Sequence, residues 1–207
     1  MAATSRFWDR TADKYARLPI THVEDYETKL RVTQDYLRPD MELLEFGCGT
    51  GGTALRHAPF VAHIRAIDFS ERMLEKARQR ANEAGVENIT FERADITTLA
   101  IPDRPYDMVL GLSILHLLKD PDAVIAKVYR MLAPGGYFVS STACLGDNMG
   151  YFKMLAPIGR ATGLLPILKV MSTEEVIARI RLPGFEIAHR WKPGKDRALF
   201  VVARKPA

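Results

Sequence analysis

Three observations predict a doubly wound α/β fold with a mainly parallel sheet. Short apolar runs alternate with helix-length amphipathic segments along most of the chain. The first run stops at a glycine cluster, Gly47-Cys48-Gly49-Thr50-Gly51-Gly52, from which a helix can start. Only the last two runs are joined by a connection too short for a crossover helix.

Taken in order, Thr4 to Arg17 and His22 to Leu37 carry apolar residues at helical spacing (Phe7, Ala12, Tyr15; Tyr26, Leu30, Val32, Tyr36), with Pro19 between them and Pro39 after, and predict two leading helices. Met41 to Phe46 predicts a strand, and Thr53 to His57 a helix after the glycines. Ala62 to Phe69 is a second strand. Ser70 to Ala84 is a helix with Ser70 as N-cap, Met73, Leu74 and Ala77 on one face, and Gly85 as its stop. Asn88 to Ala94 and Tyr106 to Leu112 are the third and fourth strands, Pro121 to Leu132 a helix, and Gly136 to Ser141 a fifth strand after Pro134-Gly135-Gly136. From Gly146 to Val170 the pattern is apolar and irregular, with short helices and loop expected. Ser172-Thr173-Glu174-Glu175 has capping-box spacing for a helix to Arg181. Phe185 to Trp191 and Ala198 to Ala203, joined through Pro193-Gly194, predict an antiparallel hairpin at one end of the sheet.

The 207 residues suit one domain, and 47% hydrophobic with 26% charged residues is the composition of a chain that folds. The 29 basic and 25 acidic residues are interspersed, so no block of like charge points to a nucleic-acid partner. Cys48 sits in the glycine turn, where a disulfide to Cys144 would be awkward, which suits a reducing compartment. No run approaches the ~20 apolar residues of a membrane span, and Met1 to Arg10 lacks a signal-peptide core. A cytoplasmic protein is expected.

The glycine turn puts backbone N–H groups and a helix N-terminus against its ligand, and only glycine lets a ligand so close to the main chain. In such sheets the ligand lies outside the carboxyl ends of the strands, where strand order reverses. Asp68 ends the second strand nineteen positions after Gly49, near the ~20-residue offset at which a carboxylate meets a ribose diol. Asp95, ending the third strand, can accept from an exocyclic amino group such as that of adenine. Gly47-x-Gly49-x-x-Gly52 also fits the dinucleotide fingerprint, so a nicotinamide cofactor stays open at this point. Glu45 before the turn, the second acid Asp95 and the scant room for a separate substrate domain tilt the choice away from it.

These residues resemble the class I S-adenosylmethionine-dependent methyltransferases, in particular the small bacterial enzymes similar to the ubiquinone and menaquinone biosynthesis group. Leu43-Leu44-Glu45-Phe46-Gly47-Cys48-Gly49-Thr50-Gly51 is similar to that family's first motif, Ala66-Ile67-Asp68-Phe69-Ser70 to its second and Arg93-Ala94-Asp95-Ile96 to its adenine-side motif. Tyr106-Asp107-Met108-Val109-Leu110 through Leu115-His116 resembles the fourth strand and its loop, and Leu132-Ala133-Pro134-Gly135-Gly136 the turn before the fifth. The resemblance implies a Rossmann-like seven-stranded sheet, a single domain over 1–207 with lid helices in 1–38, and a substrate-side insertion at 143–171. It implies S-adenosylmethionine as cofactor and S-adenosylhomocysteine as product. Gly47 and Gly49 would approach the methionine part, Asp68 the ribose, Phe69 and Ile96 the adenine faces and Asp95 its amino group. Leu112 would meet the cofactor's amino group through its carbonyl, and Tyr15, in a lid helix with Phe7-Trp8-Asp9-Arg10, its carboxylate. Glu45, Cys48 and Met73 complete the implied cofactor set. Phe69, Ile96, Tyr15 and Trp8 equally suit ordinary core packing.

A sulfonium methyl is already electrophilic, so the protein has mainly to align the partners, exclude water and take up a proton where the nucleophile carries one. His116, after the fourth strand, is the candidate base; it equally suits a packed histidine. His22, His57, His63 and His189 have no metal-like spacing, and no metal site is expected. Tyr151, Phe152, Met154, Leu155, Ile158, Leu164, Leu165, Ile167 and Leu168, rimmed by Lys153, Arg160 and Lys169, suggest an apolar or amphiphilic small-molecule acceptor, a quinone-like ring or a lipid. A basic amphipathic patch there could instead touch a membrane surface. A nicotinamide-dependent reductase and a non-catalytic S-adenosylmethionine-binding protein are the alternatives.

Overall fold

A computed structural model describes residues 2–147 and 168–207, with side chains from residue 7 onward. The elements are α1 (Ala2–Arg17), α2 (Val23–Gln34), β1 (Glu42–Phe46), α3 (Gly52–His57), β2 (His63–Asp68), α4 (Glu71–Glu83), β3 (Ile89–Arg93), β4 (Tyr106–Leu112), α5 (Pro121–Met131), β5 (Leu132–Thr142), α6 (Thr173–Arg181), β6 (Glu186–Trp191) and β7 (Leu199–Arg204). Seven strands form one sheet in the order β3-β2-β1-β4-β5-β7-β6. β1 pairs in parallel with β2 and β4, and β2 with β3, whereas β7 pairs antiparallel with both β5 and β6. The order reverses at β1, whose neighbours β2 and β4 lie on opposite sides of it, and this places the switch point beside the glycine turn.

Local chemistry sets the element ends. Ser70 Oγ accepts the Met73 N–H and caps α4, which buries Met73, Leu74, Ala77 and Ala81 on one face. Gly85, at φ 65°, ends it: the Gly85 N–H donates to the Asn82 carbonyl and the Val86 N–H to that of Ala81. Asp120 caps α5 ahead of Pro121, and Ser172 and Glu175 form the expected reciprocal capping box on α6. The predicted hairpin is β6 and β7, with a register shift between Ile187 and His189.

Several element boundaries differ from the sequence reading. α2 stops at Gln34, because the next turn tightens: the Tyr36 and Leu37 N–H groups donate to Thr33 and Gln34, three residues back. α5 stops at Met131, and β5 begins at Leu132 rather than Gly136. Gly135, at φ 77°, donates to the Lys205 carbonyl and the Lys205 N–H donates to Gly136, so residues read as a turn are drawn into pairing with the chain just after β7. Of the irregular segment, Leu145–Asp147 is a single 3₁₀ turn. Tyr151, Phe152, Lys153, Met154, Leu155, Ile158, Arg160, Leu164, Leu165 and Ile167 lie outside the described residues.

The chain divides into two compact units, one of Met1–Ala100 with Tyr106–Leu110 and one of Ile101–Pro105 with Gly111–Ala207. In the first, the core lies under β1 and β2, where Leu43, Leu44, Phe46, Ile64, Ala66 and Ile67 are at most 1% exposed. In the second it is built from β5, β7 and the inner faces of α5 and α6, including Phe138, Val139, Phe200, Val202, Val128 and Ile180. Among the described residues no helix is long and apolar enough to cross a membrane.

Candidate active site

β1 delivers the chain into a turn in which Gly47, Gly49 and Gly51 all have positive φ (67°, 54° and 74°). The turn is tied down from inside: the Cys48 N–H donates to the Ile67 carbonyl at 3.1 Å and the Gly51 N–H to Cys48 at 3.0 Å. Gly49 and Gly51 serve different purposes. A Cβ on Gly51 would lie 3.0 Å from the Ala77 Cβ and 3.1 Å from the Phe91 ring, so there the absent side chain permits packing. A Cβ on Gly49 would meet only Cε1 of Tyr15, at 3.9 Å, which leaves the main chain open to a ligand.

Asp68, at the carboxyl end of β2, holds this turn to the start of α4. Its Oδ2 accepts the Gly49 N–H and its Oδ1 the Ser70 N–H, both at 2.9 Å. Burial raises its pKa, against the lowering effect of those N–H groups. A carboxylate has about four acceptor positions, so these main-chain contacts leave capacity for a ligand hydroxyl. Glu45 lies one strand away, 3% exposed, and its Oε2 has no hydrogen-bond partner among the described residues. Burial, and then the charge of Asp68, push Glu45 up to about 8. Two buried acids and an orphaned oxygen beside an open glycine turn fit a ligand with hydroxyls and positive charge, as the ribose, ammonium and sulfonium of S-adenosylmethionine provide.

The remaining expected residues vary in setting. Tyr15 is 48% exposed and meets Trp8 edge-on. Cys48 is buried, its thiol 3.8 Å from the Gly49 carbonyl and raised by burial. Phe69 is half-buried, its carbonyl accepting from Arg93 Nε at 3.2 Å. Met73 and Ile96 are buried at 2% and 5% exposure, as core residues are. Asp95 follows β3, where the Ala94 N–H donates to the Asp68 carbonyl and so brings the ends of β2 and β3 together. Asp95 Oδ1 accepts from the Thr97 N–H and hydroxyl at 2.8 and 2.7 Å. That local turn holds the carboxylate in place and leaves acceptor capacity for an amino group.

Leu112 and His116 belong to the second unit. Leu112 ends β4, and Ser113 after it takes a left-handed conformation (φ 57°) with its N–H on the Ser141 carbonyl at 2.8 Å. His116 sits in the 3₁₀ turn Leu115–Leu117, its carbonyl accepting from the Lys169 N–H at 2.7 Å. Its Nδ1 is buried without a hydrogen-bond partner among the described residues, and burial lowers the ring to about 4. At neutral pH it is an uncharged imidazole.

Sequence reasoning passed over Tyr26 and Arg80. Tyr26 reads as one more apolar position of α2, yet its hydroxyl would lie 3.9 Å from a Cβ on Gly52 and it feels the charge of Glu45. Arg80 reads as a solvated helix charge. No local pattern marks either, because their partners are distant in sequence.

A doubly wound sheet with an open glycine turn and buried acids at its switch point defines an α/β protein built for a nucleotide-like cofactor. A family model described as a methyltransferase domain matches residues 37–178, and the chain belongs to the class I S-adenosylmethionine-dependent methyltransferase family. It is 34% identical over 152 residues to the 27-O-demethylrifamycin SV methyltransferase of Amycolatopsis mediterranei, covering 72% of this chain and 56% of that protein. It is 28% identical over 160 residues to a sterol 24-C-methyltransferase of Gibberella zeae, covering 74% and 41%. This chain thus spans about half the length of these relatives. The N-methyltransferase NodS of Bradyrhizobium japonicum, solved with S-adenosylhomocysteine, has the same fold, with a TM-score of 0.72 at 20% identity over 97% of this chain and 99% of that one.

Proposed function

We propose that this chain transfers the methyl group of S-adenosylmethionine to a small apolar or amphiphilic acceptor, acting as a single domain with 1–38 as the lid and 143–171 on the acceptor side. The observation that carries this reading is the pairing of Asp68 with the Gly49 N–H beside buried Glu45, whose Oε2 has no partner among the described residues. The bound cofactor supplies an electrophilic methyl on a positively charged sulfur. Asp68 offers its free acceptor positions to the ribose, and Glu45 gives up its proton when positive charge arrives nearby. Asp95 accepts at the adenine amino group, with Phe69 and Ile96 at its faces, and Met73 and Cys48 close the buried side. Leu112 presents its carbonyl to the cofactor's amino group. Tyr15 covers the open side of Gly49 and sheds water from it. His116 is the group placed to take the proton of an acceptor that must lose one; the burial that keeps its ring uncharged also makes it a weaker base than a free imidazole.

Support for an apolar acceptor comes from two directions. The relatives named above are called methyltransferases of a rifamycin and of sterols. In this chain Tyr15, Leu18, Ile20 and Val23, around the link from α1 to α2, are between 48% and 56% exposed, apolar side chains that suit a hydrophobic molecule or a peripheral membrane contact.

Calorimetric titration with S-adenosylmethionine, S-adenosylhomocysteine and NADH, followed by transfer from labelled cofactor to a panel of apolar and polar acceptors, tests the reading. Binding of both sulfur nucleotides and transfer to apolar acceptors is expected. Binding without transfer to any acceptor would make this a cofactor-binding protein, and binding of NADH alone would make it a reductase.

A further inference from the structure

One guanidinium joins the glycine turn to the first helix. Arg80, in α4, donates through Nη1 to the Thr50 hydroxyl at 2.8 Å, and more weakly to the Thr50 carbonyl at 3.5 Å. Through Nη2 it donates to the Ala16 carbonyl at 2.8 Å. Thr50 is buried inside the turn, between Gly49 and Gly51. Ala16 lies in the last turn of α1, beside Tyr15, whose Cε1 stands 3.9 Å from where a Cβ on Gly49 would be. The planar fork therefore spans two segments that are over thirty residues apart in sequence and sets the distance between the ring and the glycine. Further along the same two helices, Asp9 accepts from the Ser70 hydroxyl at 2.6 Å, and Asp13 pairs with Arg72 and Lys76 at 3.0 and 2.8 Å. Those contacts bind α1 to α4, but of these contacts only Arg80 also touches the turn.

We propose that Arg80 is a positioning residue for the cofactor, which fixes Tyr15 over Gly49 by holding the glycine turn and the C-terminal end of α1 with one side chain. The inference rests on S-adenosylmethionine being the ligand of this turn. Lysine cannot replace arginine in this role, because an ammonium on a flexible stem can reach either Thr50 or Ala16 but does not hold both in a fixed plane. The effect on the ligand passes through Tyr15, so removing the ring should remove most of what Arg80 contributes.

The test compares wild type, Arg80→Met, Arg80→Lys, Tyr15→Ala and the double variant Arg80→Met with Tyr15→Ala. S-adenosylhomocysteine affinity is measured by calorimetry, and amide hydrogen exchange across α1 is measured in the ligand-free protein. Arg80→Met is expected to weaken binding about tenfold, Arg80→Lys to recover less than half of that loss, and the double variant to be no weaker than Tyr15→Ala alone. Exchange in the last turn of α1 should rise in Arg80→Met without any ligand present. Additive losses in the double variant would overturn the proposal and leave Arg80 a structural residue of the turn, as would unchanged affinity. Failure of the wild type to bind the nucleotide would instead overturn the cofactor assignment, while the exchange result would still report on the clamp.

Discussion

Asp68 Oδ2 accepts the backbone N–H of Gly49 at 2.9 Å while its Oδ1 accepts that of Ser70 at the same distance, so one carboxylate fixes both the glycine turn and the N-cap of α4. Asparagine offers only one oxygen and would point an amide N–H at a backbone N–H. Asp68→Asn should therefore cost about 1–3 kcal/mol of stability and weaken S-adenosylhomocysteine binding at least tenfold, which thermal melts and titration calorimetry measure side by side. Nucleotide binding as tight in Asp68→Asn as in wild type would remove Asp68 from the site.

The two glycines that flank Thr50 should separate binding from folding. Gly49→Ala meets only the Tyr15 ring and bears the cost of its left-handed backbone, about 1–2 kcal/mol, so a folded protein with weakened nucleotide binding is expected. Gly51→Ala adds an overlap with Ala77 and Phe91 of about 1–3 kcal/mol and should show the larger fall in melting temperature. A larger loss of stability in Gly49→Ala would reverse the roles assigned to the two positions.

Buried titratable groups predict the dependence of stability on pH. Glu45 ionises near 4.5 in the unfolded chain and near 8 in the folded one, so the native state keeps a proton that the unfolded state has lost, and stability falls as pH rises between those values. The raised pKa of Asp68 acts in the same direction. His57 is fully buried with both ring nitrogens unpartnered among the described residues, and burial lowers it from 6.5 to about 4. The unfolded state binds the extra proton in that window, so stability falls as pH drops from 6.5 to 4, and His116 adds to this limb. Up to pH 6.5 the two histidines match or outweigh the two acids, and above it only the acids act, so the ligand-free protein should be most stable near pH 6.5. Melting temperatures across pH should show the alkaline decline flattened in Glu45→Gln and the acid decline reduced in His57→Leu. An unchanged alkaline slope in Glu45→Gln would mean that Glu45 is ionised in the native state.

His116 should not impose a limb at the usual histidine value on the pH profile of methyl transfer. With the ring near 4, kcat/KM is expected to be level with respect to this group from pH 5 to 8, and His116→Gln to lower kcat about a hundredfold for an acceptor that loses a proton, with little change in KM. A limb near 6.5 that vanishes in His116→Gln would show a ring exposed to solvent during turnover. An unchanged kcat would leave His116 a packed residue.

The sequence by itself determined what depends on neighbours along the chain: strands and helices from apolar periodicity, the helix caps at Ser70 and Ser172 from local hydrogen bonding, and the glycine turn from the conformations that only glycine adopts freely. It also placed Asp68 and Asp95 at strand ends, because a strand end is a local event. The tertiary structure decided what depends on segments far apart in the chain. It brought the Gly49 N–H onto Asp68 and buried Glu45 with an oxygen that has no partner among the described residues, and this burial shifts the protonation of both acids. It separated a glycine that leaves room for a ligand from one that leaves room for a phenyl ring, although both read alike in the motif. It placed Arg80 between Thr50 and Ala16 and drew Gly135 and Gly136 into pairing with Lys205. Desolvation and hydrogen-bond geometry depend on distances through space, and no pattern of neighbouring residues encodes them.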